Sequence, residues 1–170
     1  MNLLKLSYSI LFTLLLAIRL FGDSPVDRSV SLALVSDDFG LADGPSWQGW
    51  YLTVPDPKAQ VVKRFITKQN KWNVLAQEKR FSASFFNHGK SYFADHGEGA
   101  IRCLDQNNKW SLVYQEDLTK DKGRRPNDLV VDRNGGIFYT LTRPGEVVYL
   151  SSNGKAKTVR HVYGQRPVRL

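Results

Sequence analysis

From Phe39 onward, apolar and polar residues alternate in runs of about five, separated by short turns rich in Asn, Gly and Lys. A period of two over short runs is the pattern of half-buried strands, and no helix-period stretch of useful length follows the first segment of the chain. The runs repeat. Residues 49–53, 90–94 and 136–140 are short aromatic strands, each followed after a loop by a second run at 60–65, 100–104 and 146–150. A polar turn comes next each time, at 68–70, 106–108 and 151–154, and then a third run at 71–75, 109–113 and 155–159. Asn-Lys-Trp at 70–72 and again at 108–110 sets a period of 38 residues. Repeats of about 40 residues built from short antiparallel strands are the mark of β-propeller blades. The expected fold is therefore all-β, an arc of about three blades. A β-sandwich would use similar strands without requiring this internal similarity. A closed propeller usually takes about four to eight blades, so the pattern predicts a truncated arc.

The most informative stretch is 123–140. An apolar run, Leu129-Val130-Val131, leads through Asp132-Arg133-Asn134-Gly135-Gly136 into Ile137-Phe138-Tyr139-Thr140. Asn-Gly between two β-rich runs predicts a hairpin, because both turn positions tolerate positive φ. Ahead of it stands Arg124-Arg125-Pro126-Asn127-Asp128. Pro126 holds the chain extended as it enters the strand, which should place Arg125 and Asn127 together at one strand end. A cation and an amide held side by side suit an oxygen-rich ligand. The plainer alternative is that Asn127 and Asp128 cap a turn through their side chains.

The chain of 170 residues can form one ordinary domain, and 42% apolar residues argue against disorder. The formal net charge of +8 is scattered through loops and the tail. A basic surface favours anionic sugars, envelope polymers or nucleic acid, but no element here would read bases, so no specific nucleic-acid partner is expected. Residues 1–22 look like a signal peptide: Lys5, then an apolar run at 6–18, then Leu20-Phe21-Gly22 as a cleavage site. The run is shorter than the roughly 20 residues of a membrane span. The expected location is secreted or periplasmic, with an uncleaved anchor as the alternative. Cleavage would remove Lys5 and Arg19, leaving 22 basic against 16 acidic residues. Residues 23–36 read as a leader, 37–159 as the partial propeller and 160–170 as a basic irregular tail. Cys103 is the single cysteine and is expected to be a buried thiol.

Three segments resemble the SMP-30/gluconolactonase/regucalcin-like family, a family of six-bladed propellers, over its N-terminal half. Leu41-Ala42-Asp43-Gly44-Pro45-Ser46-Trp47 is similar to the family's opening Glu-Gly-Pro-x-Trp. Phe93-Ala94-Asp95-His96-Gly97 with Ile101-Arg102 resembles its second-blade segment. Arg125-Pro126-Asn127-Asp128-Leu129-Val130-Val131-Asp132 resembles its most recognisable motif. The resemblance covers residues 37–159. It implies a metal-dependent hydrolase acting on a sugar lactone or related ester, with a divalent cation (calcium, magnesium or zinc) as cofactor. It further implies Asp43 as a metal ligand and Arg125 and Asn127 as substrate-binding residues, and it leaves the catalytic residue unassigned. Asp43 stands where the family carries Glu, and the family's remaining ligands belong to later blades. A different class stays open: a non-catalytic secreted arc that binds a glycan or a protein partner. Asp43-Gly44-Pro45 also reads as a plain turn. His88 and His96 lack the partner spacing of a structural zinc site, and Gly97-Glu98-Gly99 reads as a tight turn. Trp47, Trp50, Trp72 and Trp110 are expected to pack blades together. Propeller topology predicts that Asp43 and Asn127 lie at the same end of the arc, turned toward its axis.

Overall fold

A computed structural model describes residues 29, 31 and 33–161. The N-terminal segment expected to be a signal peptide lies outside them, as does most of the basic tail. The chain divides at Asp37 and Asp38, and all twelve strands belong to the second unit. They form three four-stranded antiparallel sheets. The first contains β1 (Ser46–Trp47), β2 (Tyr51–Asp56), β3 (Val61–Ile66) and β4 (Lys71–Gln77). The second contains β5 (Phe81–Asn87), β6 (Lys90–Asp95), β7 (Ala100–Leu104) and β8 (Trp110–Gln115). The third contains β9 (Pro126–Val131), β10 (Ile137–Leu141), β11 (Glu146–Leu150) and β12 (Ala156–His161). Each sheet is a plain meander in chain order. This is a partial β-propeller of three blades. Among the described residues the only helical piece is a single turn of 3-10 helix, Thr67–Gln69, and no helix is long and apolar enough to cross a membrane.

The three strands of each repeat visible in the sequence are the second, third and fourth of each blade. The first strands of the first two blades, β1 and β5, escape the pattern. The last strand runs to His161, two residues into the stretch that reads as irregular tail.

Apolar residues fill the seams between blades. Val62 of the first blade packs with Phe81, Phe93 and Leu104 of the second, and Trp110 leans on that cluster. The rings of Phe81 and Phe93 stack with centroids 5.0 Å apart. Between the second and third blades, Ala83, Ala94 and Ile101 meet Leu129, Val131, Ile137, Tyr139, Leu141, Val148 and Leu150. Cys103 is buried, and burial pushes its thiol above the ordinary range. Two of the four tryptophans depart from the packing role expected of them. Trp110 and Trp72 pack, the latter against Phe39 and Phe65, whereas Trp47 and Trp50 are more than half exposed. Lys68 sits over the Trp50 ring, 3.9 Å from its centroid, so that indole carries a cation instead of a seam.

The hairpin at 132–136 forms, with a different turn from the one Asn-Gly suggests. Only Gly135 takes positive φ (81°), and Asn134 does not. Asp132 accounts for the difference, because its Oδ1 accepts the N–H groups of Asn134 (2.7 Å) and Gly136 (2.9 Å) and closes a longer turn.

Candidate functional site

The inner strands β1, β5 and β9 lie side by side and run in the same sense. The Ser84 N–H donates to the Gly44 carbonyl at 2.8 Å, and the Ser46 and Ser84 hydroxyls meet at 2.8 Å. Farther round, the Ser82 hydroxyl donates to the Asn127 carbonyl at 2.6 Å, and the Asn87 side chain donates to the Asp132 carbonyl at 3.3 Å. Both contacts join residues 45 apart in sequence, so β5 and β9 are in step along their length. Gly44, Ser82 and Asn127 therefore mark equivalent strand entries at one end of the arc. Asp43 and Asn127 flank the same Ser82–Ala83 step.

Small residues permit this approach. A Cβ on Gly44 would stand 2.3 Å from Cα of Ala83, and Gly44 also takes positive φ (41°). Only glycine meets both demands. Ladder irregularities fall at the same level. Phe81 pairs with Asp95 and Ala83 with Ala94, so Ser82 is the extra residue in β5. Leu129 pairs with Tyr139 and Pro126 with Leu141, leaving Asn127 and Asp128 opposite Thr140 alone. Bulges free backbone groups from the ladder and re-aim side chains. Here they release the Asn127 carbonyl to the Ser82 hydroxyl and send the Asp128 N–H to the Thr140 hydroxyl (3.1 Å).

Two buried aspartates shape the turns at this end. Asp56 closes β2 and is fully buried. Its carboxylate accepts N–H groups from Gly40 (2.7 Å), Leu41 (3.0 Å) and Ala59 (2.9 Å). Burial opposes its charge, but the backbone donors prevail and hold the carboxyl below its usual range. Asp95 closes β6 in the same way. It takes the Glu98 N–H at 3.1 Å and the Arg102 guanidinium at 2.6 Å. Asp56 thus fixes the segment that leads to Asp43, whose own N–H donates to the Pro55 carbonyl at 3.0 Å. The sequence offered one cue to Asp56: an acidic residue at the end of an aromatic strand, as at Asp95.

The residues singled out from sequence fare differently. The Asp43 Oδ1 accepts the N–H of its own neighbour Gly44 at 3.0 Å, a turn-forming contact, and the residue remains partly exposed. Among the described residues no group of three or more His, Cys, Asp or Glu side chains is placed to hold a metal ion. Asp43 alone does not make a site for a divalent cation, so the described residues do not fit one. The Asn127 backbone is pinned, and no hydrogen bond of its side-chain amide occurs among the described residues. Arg125 is largely committed to protein. Its Nη1 donates to the carbonyls of His96 (2.9 Å) and Gly97, and its Nε donates to the Lys122 carbonyl at 3.2 Å. His96 in turn lies 3.2 Å from the Pro126 carbonyl through Nδ1. Arg125, His96 and Asn127 are thus brought together across the seam between the second and third blades.

Behind them lies a network that no local sequence pattern reveals. Glu116, 4% exposed, accepts the Arg124 Nε at 2.8 Å and the Tyr139 hydroxyl at 2.5 Å. Arg124 also donates through Nη1 to Glu146 at 2.9 Å, and Thr158 donates to the same carboxylate at 3.0 Å. Burial and then the Glu116 carboxylate push the Tyr139 phenol well above its usual range. Burial opposes the Arg124 charge, but its two carboxylates reinforce it. The network ties the 117–125 loop, and with it Arg125, to both blades.

No family model and no curated sequence matches the chain. Solved structures do. A gluconolactonase from Xanthomonas campestris superposes with a TM-score of 0.63 at 19% identity, over 75% of this chain and 49% of that one. The fold is gluconolactonase-like. A gluconolactonase candidate from a structural-genomics programme gives a TM-score of 0.61 at 14% identity, over 73% of this chain and 50% of that one. A virginiamycin B lyase from Staphylococcus aureus gives 0.57 at 14% identity, over 75% and 43%. The chain thus spans half or less of each of these structures. At such identities the likeness concerns the gluconolactonase-like fold, and chemistry must be argued from the residues themselves.

Proposed function

We propose that the chain is a lactonase-type propeller module that binds and hydrolyses a sugar lactone or a related ester, outside the cytoplasm, at the entry end of its inner strands. The observation that carries this reading is the convergence of three strand entries, bearing Asp43 and Asn127, in a gluconolactonase-like fold. The Asn127 amide can both donate to and accept from ligand hydroxyls. The pinned backbone on either side of it lowers the cost of holding that geometry. The Nη2 group of Arg125 supplies a further donor, while the rest of that side chain fastens the neighbouring turn. Asp43 contributes a carboxylate to the same end. A divalent cation there would need ligands beyond those the described residues bring to Asp43, and no step of the reaction is assigned to one.

The full chain, incubated with glucono-1,5-lactone and other aldonolactones and followed by acid release, is expected to give saturable hydrolysis above the spontaneous rate. Calcium, magnesium and zinc are each added in parallel. Hydrolysis at the spontaneous rate with every lactone and every cation would overturn the reading.

A further inference from the structure

The hydrogen bond between His96 and the Pro126 carbonyl has a chemical consequence. A carbonyl oxygen can only accept, so Nδ1 must carry the proton, and a neutral imidazole then presents Nε2 as a bare lone pair. No partner of Nε2 occurs among the described residues, and the ring is only partly buried. The turn that carries it is held from three sides. Arg125 Nη1 clamps the carbonyls of His96 and Gly97, the Gly97 N–H donates to the Arg80 carbonyl (3.2 Å), and Asp95 takes the Glu98 N–H (3.1 Å). The peptide that accepts from the ring is the one that leads into Asn127, whose own carbonyl is held by Ser82. Imidazole and amide are thus registered to each other through one fixed peptide. Toward His96, Arg125 acts as a positioning residue through Nη1.

We infer that His96 presents Nε2 to the ligand bound at Asn127 and accepts the proton of the attacking water, with Arg125 holding it there. This rests on the lactonase reading for its reaction, though not for its ligand contact. As the water oxygen bonds to the lactone carbonyl carbon, its proton passes to Nε2. When the tetrahedral adduct collapses, the bond from that carbon to the ring oxygen breaks and the proton moves from Nε2 to the departing oxygen. One water is consumed, a hydroxy acid is released, and the imidazole is neutral again.

Two measurements on the full chain test this. With ¹⁵N-labelled histidine, the His96 ring, assigned by its loss in His96→Gln, is expected to show a protonated Nδ1 and an unprotonated Nε2. Adding the unreactive sugar alcohol D-glucitol is expected to shift that Nε2 signal and leave His88 and His161 unmoved. Arg125→Gln is expected to weaken the shift and mix the tautomers. In the lactone assay, His96→Gln should lower kcat about 100-fold or more with little change in KM, as expected on loss of a general base. An Nε2-protonated ring, an Nε2 signal unmoved by D-glucitol, or a His96→Gln rate within about threefold of wild type would each overturn the inference, the last being far below the general-base range. Absence of lactone hydrolysis in wild type, with the D-glucitol shift intact, overturns the lactonase reading and the proton transfer but upholds the ligand contact.

Discussion

Arg124→Met is expected to be among the most destabilising single changes in the chain, although Arg124 is distant in sequence from most residues that hold it. Glu116 is buried, and its oxygens are matched to Arg124 and the Tyr139 hydroxyl. Removing the guanidinium leaves that carboxylate uncompensated, which typically costs about 3–5 kcal/mol. The resulting fall in midpoint temperature is roughly 6–20 °C for a chain of this size. Glu146 is nearer solvent and rehydrates more readily, so the cost falls mainly on Glu116. Combining Arg124→Met with Glu116→Leu and Tyr139→Phe should recover most of the loss, because no buried charge is then left alone. Thermal unfolding of the full chain checks both. A loss below about 1 kcal/mol for Arg124→Met would place the network among exposed ion pairs, which contribute little.

Gly44→Ala should be nearly as costly and should act on the seam between the first two blades. The added methyl would meet Ala83 at 2.3 Å and the Ser82 carbonyl at 2.7 Å, and backbone cannot swing aside as a long side chain can. Overpacking of this kind costs about 1–3 kcal/mol. Holding alanine at positive φ adds on the order of 1 kcal/mol. The expected result is a destabilisation of several kcal/mol by these two terms, together with loss of hydrogen-exchange protection at the Ser84 N–H, which bonds the Gly44 carbonyl. Gly135→Ala is the control for positive φ without crowding, since nothing lies within 4 Å of its added methyl. Equal effects at the two glycines would contradict the close-approach account.

Much of the blade pattern was legible because the second strand of each blade is aromatic and the third runs into a polar turn each time. The inner strands were harder. β1 has only two residues, and β5 opens Phe-Ser-Ala-Ser, where the small side chains reflect close contact with neighbouring strands and have no sequence periodicity of their own. The meeting of Arg125 with His96 and Gly97, and of Arg124 with Glu116 and Glu146, joins residues 8 to 29 apart. Such pairs leave no local signal. The sequence likewise pointed to Arg125 as a ligand contact but not to its bonds with the neighbouring blade, where Nη1 reaches the carbonyls of His96 and Gly97.

The central claim is that the entry end of β1, β5 and β9 is the working end of the arc. Lactone hydrolysis by Asn127→Ala, set beside Ser152→Ala at the opposite end, tests it most directly. Both side chains lie outside the apolar seams, so thermal midpoints should stay close to wild type. Loss of an amide that orients the substrate should lower kcat/KM by about 100-fold, in line with the rate lost when a reacting geometry is relaxed. Ser152→Ala should leave kcat/KM unchanged. Equal rates for Asn127→Ala and wild type, or a loss confined to Ser152→Ala, would contradict the account.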